Sequence, residues 1–325
     1  MTSSPLNFTV AICTYNGEHR LPSVLDRLCL CAKETPDSLT WEILVIDNAS
    51  TDNTPQVVDD YQNKLPIRQV CETQRGLAFA RHRAILEAKG EFVGFLDDDN
   101  LPETDWVTRS IEFGRENPKM GAYGSRILPE YATPPPENFH RIAPFLAIVD
   151  RGLQPRFYPP EKKLLPPGAG LVVRRAAWLN CVPDRLVLIG RTTHKSIAGE
   201  DLEALLHLQQ AKWEIWYNPA MRVRHLIPAS RLEPEYLLNL MEGIGLSRYR
   251  TRMLSFPIWL RPFALVAYSF NDLRKILRHL IKYRRVLESD LVAQCEMRLY
   301  RSSLFSPLFF WRETLFQKSH RKSQP

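Results

Sequence analysis

Three aspartates, Asp97, Asp98 and Asp99, stand side by side directly behind an apolar run from Phe92 to Leu96. Like charges this close raise one another's pKa, so the pattern requires a positive partner. Two carboxylates one residue apart at a strand end commonly offer oxygen ligands to Mg²⁺ or Mn²⁺, whose open positions can take phosphate oxygens. The competing reading is an exposed acidic turn ahead of a helix that begins near Pro102. A second acidic pair, Glu200 and Asp201, opens the amphipathic stretch "AGEDLEALLHLQQAKW". Acids at a helix start either complement its dipole or supply a general base for a poor nucleophile such as a hydroxyl. His225 ends the strand-like "MRVRH", where a neutral imidazole can ligate a metal or simply hydrogen-bond. In "LLPPGAGLVV", Gly168 and Gly170 either admit a ligand close to the backbone or form a turn into a strand.

These residues need a frame. Short β-rich runs recur at 8–13, 41–47, 67–71 and 91–97, separated by helix-like stretches near 18–32, 53–64 and 76–89. Strands alternating with helices indicate βαβ units around a parallel sheet. The first, second and fourth runs are almost continuously apolar, as expected of strands covered on both faces. Ligands in such sheets bind beyond the carboxyl ends of the strands. The residues just beyond those ends are Thr14-Tyr15-Asn16-Gly17, Asp47-Asn48-Ala49-Ser50-Thr51-Asp52 and the aspartate triplet. The expected fold is therefore α/β with a polar site on one sheet edge.

No GxGxxG or GxxxxGK[ST] pattern occurs, which argues against a dinucleotide-binding Rossmann domain and a P-loop ATPase. The six cysteines form no CxxC pair, so reduced, buried thiols and a cytosolic setting are expected. "MTSSPLNFTV" lacks a basic region followed by an apolar core, so no signal peptide is expected. No apolar window reaches the roughly 20 residues of a spanning helix; the nearest, 253–270, carries Arg261, Pro257 and Pro262. The net charge of +7 is uneven: residues 231–325 hold 17 Lys/Arg against 8 Asp/Glu. Such a tail is either a set of solvated helices or a surface that meets an anionic partner.

The motifs "VAICTYNG", "ILVIDNASTDNT", "RGLAFARHRAI", "FVGFLDDDNLPETDW" and "GEDLEALLHL" resemble, in order and spacing, glycosyltransferase family 2 over about residues 8–230. The narrower resemblance is to bacterial polysaccharide enzymes such as the hormogonium polysaccharide glycosyltransferases of cyanobacteria. The resemblance implies a GT-A fold, a Rossmann-like, mostly parallel sheet with helices on both faces, over 1–230. A basic, mostly helical region occupies 231–325. The resemblance also implies inverting, metal-assisted transfer of a sugar from a nucleotide-diphosphate sugar, a UDP-sugar, to a glycan or lipid-linked acceptor in polysaccharide biosynthesis. Carried over by position, Thr14 and Asp47 lie at the base and ribose, and Arg81 lies near the nucleotide or is a surface arginine. Asp97 and Asp99 become the outer members of a DxD motif, with Asp98 between them in the nucleotide-sugar site. Asp99 is the direct ligand of Mn²⁺ or Mg²⁺, Asp97 shares the ion or lies near the ribose, and His225 is the third ligand. Asp201 is the general base, with Glu200 second. Family members often have Asn where this chain has His82. Asp52 reads instead as a turn and helix-cap residue.

Two rivals remain. A sugar nucleotidyltransferase would share sheet and metal, but would carry a Gly-rich basic loop where this chain has "CTYNGEHRLP". A nucleic-acid-binding protein suits the basic tail but leaves the acidic strand ends unexplained, so no nucleic-acid partner is expected. Beyond residue 231, "EPEYLLNLMEGIGLSRYR" and "NDLRKILRHLIKYRRVLE" read as helices. The second places Leu273, Ile276, Leu277, Leu280 and Ile281 on one stripe. This suits a peripheral enzyme on the cytoplasmic membrane face, a cover for the acceptor groove, or a dimer contact.

Overall fold

The computed structural model describes residues 6–190 and 197–322. In chain order the elements begin β1 (Leu6–Thr14), α1 (Leu21–Glu34), β2 (Trp41–Asp47), α2 (Thr54–Asp59), β3 (Ile67–Cys71), α3 (Leu77–Glu87) and β4 (Gly90–Leu96). Next come β5 (Asn100–Pro102), α4 (Trp106–Glu116), β6 (Met120–Tyr131), β7 (Arg156–Phe157), β8 (Val172–Arg174), α5 (Arg175–Cys181), α6 (Glu200–Gln210) and β9 (Glu214–Ile227). Three long helices complete the chain: α7 (Pro234–Leu254), α8 (Arg261–Tyr283) and α9 (Leu291–Lys322).

The strands form one mixed sheet in the order β3-β2-β1-β4-β8-β6-β9-β5, with β7 paired to β9. Strands β1 to β4 are parallel, and β8 runs antiparallel to β4. The continuous apolar runs have a simple cause: alternate residues of each strand enter different cores. Phe8, Val10, Ile12, Ile43 and Val45 pack with α1 and α4, while Ala11, Leu44, Ile46, Val93 and Phe95 pack with α3, α5 and α6. Burial on both faces is what holds the parallel strands in register. That register levels the strand ends: Thr14 pairs with Asp47, Asp47 with Cys71, and Ile12 with Leu96.

Several boundaries differ from the sequence reading. Helix α2 is shorter than 53–64, because residues 60–65 close in turns that bury Tyr61 and Leu65. No helix starts near Pro102; Asn100–Pro102 pairs with β9 at the sheet's edge, where a proline's missing N–H is tolerated, and α4 starts at Trp106. The strand expected at 221–225 is the C-terminal part of the longer β9. All six cysteines are free, as expected, but they are not all buried: Cys71 is exposed, and Cys13, Cys29 and Cys181 are only partly covered.

The chain divides into two compact units. The first comprises Met1–Ala132, Leu146–Ile189 and Glu200–Pro228, and holds the sheet. The second comprises Thr133–Phe145, Gly190–Gly199 and Ala229–Pro325, and holds the long helices. A single cut at 230/231 therefore leaves out two segments of the second unit that are drawn from earlier in the chain. Among the described residues, no helix is long and apolar enough to cross a membrane.

Candidate active site

The three aspartates are held apart by three different partners. Asp98, the middle one, faces the scaffold: Thr14 Oγ1 donates to its Oδ2 at 2.6 Å, and Arg20 donates from Nε and Nη2 to both oxygens at 2.9 Å. Asp97 lies 3.6 Å from Nη2 of Arg81. Asp99 lies 3.7 Å from His225 Nε2 and accepts from Asn100 Nδ2 at 2.9 Å. The last arrangement arises from strand pairing: Asn100 is the register partner of His225, and Leu226 N donates to Asp99 O. Burial raises the Asp97 carboxyl above the ordinary aspartate range; Arg81 opposes this, and the neighbouring Asp99 charge reinforces it.

Arg81 joins the two halves of the site. It projects from α3 and is almost fully buried, yet it lies close to three acids. Nη1 donates to Glu200 Oε1 at 2.9 Å, Asp97 stands on its other side, and the Asp201 charge acts on it as well. Burial disfavours the charged guanidinium, but these acids outweigh it and its pKa is raised. The ring of Phe95 lies 5.7 Å from its Cζ. Gly168 leaves room for this guanidinium, which a Cβ at that position would displace. Its amide donates to Asp201 Oδ2 at 2.6 Å, and Leu202 N donates to Oδ1. Gly170 has φ +63°, in the left-handed region, and its carbonyl accepts from Ser125 Oγ, which also accepts from Trp106 Nε1. Gly168 and Gly170 thus shape the wall behind the carboxylates.

At the end of β2, Asp47 is buried and its Oδ1 accepts from Ser50 N at 2.9 Å, which fixes the turn that follows. Asp52 accepts from Thr54 N and Thr54 Oγ1, the turn role expected of it, but the N-cap of α2 is the next residue, Asn53. The thiol of Cys13, near the end of β1, is pushed up to about 12 by burial, so it stays protonated and is no nucleophile at neutral pH.

The structure brings together Thr14, Asp97, Asp98, Asp99, Arg81, Glu200, Asp201, Gly168 and His225 by the contacts above. Asp47 is level with Thr14, and Gly170 sits two residues behind Gly168. Two further residues had no role of their own in the sequence reading, Arg20 and Asn48, the latter named there only as part of the polar end of β2. Arg20 carried a signal: a cation at the N-cap of α1 sits against the positive end of the helix dipole, so a carboxylate must hold it there. Asn48 carried none; its side chain binds Glu72 O, Gln74 O and Gly76 N, and so ties the end of β2 to the loop before α3.

A divalent ion fits part of this arrangement. A carboxylate oxygen and a ring nitrogen 3.7 Å apart suit two positions around Mg²⁺ or Mn²⁺. Among the described residues no ready-made group of three or more such side chains exists. A shell built on Asp99 and His225 therefore takes its other ligands from Asp97, if it swings from Arg81, or from phosphate and water.

The acidic side chains thus gather at the carboxyl edge of an α/β sheet covered on both faces, with the buried Arg81 among them. The model of the family "Glycosyl transferase family 2" matches residues 9–180, and the chain belongs to that family. The chain is 36% identical over 153 residues to the poly(ribitol-phosphate) β-N-acetylglucosaminyltransferase TarS of Staphylococcus aureus, a match that covers 45% of this chain and only 25% of TarS. It is 23% identical over 236 residues to the glucosyl-dolichyl phosphate glucuronosyltransferase of Haloferax volcanii, covering 72% of this chain and 73% of that protein. Among solved structures, the mannosyltransferase PcManGT of Pyrobaculum calidifontis, in complex with GDP-Man and Mn²⁺, superposes with a TM-score of 0.58 at 17% identity, over 94% of this chain and 88% of that one. S. aureus TarS 1–349 with UDP-GlcNAc gives 0.51 at 15% identity, over 93% and 92%. These likenesses establish the GT-A fold.

Proposed function

We propose that this protein transfers a sugar, with inversion, from a nucleotide-diphosphate sugar of the UDP class to a glycan or lipid-linked acceptor in bacterial polysaccharide assembly. The observation that carries this reading is the convergence of Asp97, Asp99, Arg81, Asp201 and His225 on one edge of the sheet, from segments spread between residues 81 and 225. The related TarS, named for a poly(ribitol-phosphate) acceptor, and its structure with UDP-GlcNAc support the donor class. The Mn²⁺ named with GDP-Man in PcManGT supports the use of a metal.

In this reading Thr14 and Asp47 line the nucleoside end of the cleft, and Asp98 supports it through Thr14 and Arg20. Asp99 and His225 hold a divalent ion, with Asp97 sharing it or contacting the ribose. When bound, such an ion offsets charge that develops on the leaving diphosphate. Arg81 adds fixed positive charge nearby. Asp201 is the base: it takes the proton of the acceptor hydroxyl as that oxygen attacks the anomeric carbon. Its two backbone N–H donors orient the carboxylate. Glu200, paired to Arg81, is the weaker candidate because the guanidinium stabilises its charged form. One displacement in line with the departing diphosphate inverts the centre without a covalent sugar–enzyme intermediate.

The test is Asp201→Asn, which keeps the shape and removes the basicity. Loss of a general base costs about 10²–10⁴ in rate. Titration of donor should look like wild type, while release of nucleoside diphosphate in the presence of acceptor falls by that factor. Transfer near the wild-type rate would make Asp201 a loop-fixing residue and move the role to Glu200. Pyrophosphate release in place of nucleoside diphosphate would make the protein a nucleotidyltransferase.

A further inference from the structure

Helix α8 leaves a long apolar stripe uncovered. Its apolar residues recur at Phe263, Val266, Phe270, Leu273, Leu277 and Ile281, a three-and-four spacing that places them along one stripe. A stripe of this kind normally faces the core. Here all six are exposed, and Phe263, Val266, Phe270 and Ile281 are 70–76% exposed. Just ahead of the helix, Trp259 is 70% exposed as well. Two polar residues, Asp272 and His279, lie on the buried side with Ala264. Asp272 is 1% exposed, receives both ends of the Arg252 guanidinium at 2.5 and 2.9 Å, and accepts from Ser303 Oγ at 2.8 Å. His279 is buried too, with Nε2 2.9 Å from Ala293 O.

The network around Asp272 fixes which way the helix faces. Turning it to hide the apolar stripe would expose or break the Arg252–Asp272 pair. An uncovered apolar face this long marks a contact surface. Charge decides the occupant. Arg274, Arg278, Lys282, Arg284 and Arg285 are exposed on or beside the stripe, and the only acid between residues 261 and 286 is the buried Asp272. A second copy of the same face would bring cation against cation. An anionic bilayer surface offers the complementary charge, and its interface accepts the aromatic and aliphatic side chains.

We propose that α8, led by Trp259, is an interfacial helix by which the protein binds reversibly to anionic phospholipid. The stripe lies at the headgroup–acyl boundary, and the arginines and lysine reach toward phosphate. No spanning segment is involved. The inference rests on the second unit alone and does not depend on the sugar-transfer reading.

The experiment is co-sedimentation of the full chain with phosphatidylcholine vesicles, with and without added phosphatidylglycerol, at low and high salt. Two double variants accompany the wild type: Arg274→Glu with Arg278→Glu, and Phe270→Ser with Ile281→Ser. All four positions are exposed, and far-ultraviolet circular dichroism with urea unfolding checks that each variant folds. The wild type should sediment with the phosphatidylglycerol vesicles, with partitioning that weakens as salt rises. Each double variant should lower the partition coefficient at least about tenfold. Equal binding to both vesicle types, no binding to either, or undiminished binding by the serine variant would each overturn the proposal. So would concentration-dependent self-association of the wild type that the serine substitutions abolish, since a second copy would then be the occupant.

Discussion

Arg81→Met isolates the energetics of the cleft. The side chains of Arg81 and Glu200 are 5% and 7% exposed and 2.9 Å apart, with Asp97 at 3.6 Å from the same guanidinium. Removing the cation takes from the buried Glu200 the guanidinium it faces, and takes the same charge from Asp97. Breaking a buried pair by removing one partner costs about 3–5 kcal/mol, most of it the penalty of the stranded charge. Replacing both partners by neutral groups of similar shape strands nothing, so Arg81→Met with Glu200→Gln should recover much of that loss. For a unit of this size a change of 1 kcal/mol moves Tm by about 2–4 °C, so the single variant should melt roughly 6–20 °C lower. The assay is urea unfolding of wild type, both single variants and the double, closed into a mutant cycle. A single variant within about 1 kcal/mol of wild type, or strict additivity in the cycle, would show that the guanidinium does not neutralise Glu200.

Asp99→Asn should abolish Mn²⁺-dependent binding of UDP while leaving the unfolding midpoint unchanged; calorimetric titration with the affinity intact would remove the DxD assignment. Gly170→Ala must force a left-handed backbone and drive a Cβ toward Ser125, so it should destabilise by about 1–3 kcal/mol in urea unfolding; an unchanged midpoint would mean that the turn relaxes freely. Glu42 offers the pH test. Its carboxylate is buried, which by itself raises its pKa, but hydrogen bonds from Arg68, Lys89 N and Thr9 leave it lowered overall. A lowered folded pKa stabilises above the unfolded value of about 4.3, and this contribution is lost as pH falls through the folded pKa. Glu42→Gln should therefore be less stable than wild type at neutral pH, with the gap closing as unfolding is followed to pH values below about 4; a gap independent of pH would remove the linkage.

The parallel half of the sheet was legible because its strands are buried on both sides, which writes them as unbroken apolar runs with a polar residue at each end. Thr14, Asp47 and the triplet could be set on one edge from chain order alone. Chain order does not show how charges find one another over long separations. Arg81 and Glu200 meet across 119 positions and Arg20 and Asp98 across 78, and no local pattern announces either pair. Short β5 looks like the approach to a helix because three residues carry no period, and its strand character comes only from pairing with β9. In α8 the periodicity was legible and its direction was not: a stripe has the same spacing whether it faces a core or a surface. Only the burial of Asp272 against Arg252 and Ser303 decides between them.

Of the three letters in the Asp97-Asp98-Asp99 motif, the middle one is the least replaceable in isolation. It closes a circuit from the end of β1 to the first turn of α1, and its partner Arg20 would stand at the wrong end of a helix dipole without it. The middle letter answers to Arg20, so positions 20 and 98 form a grammatical pair. In related chains the two should be gained or lost together, independently of any change in what the outer aspartates bind.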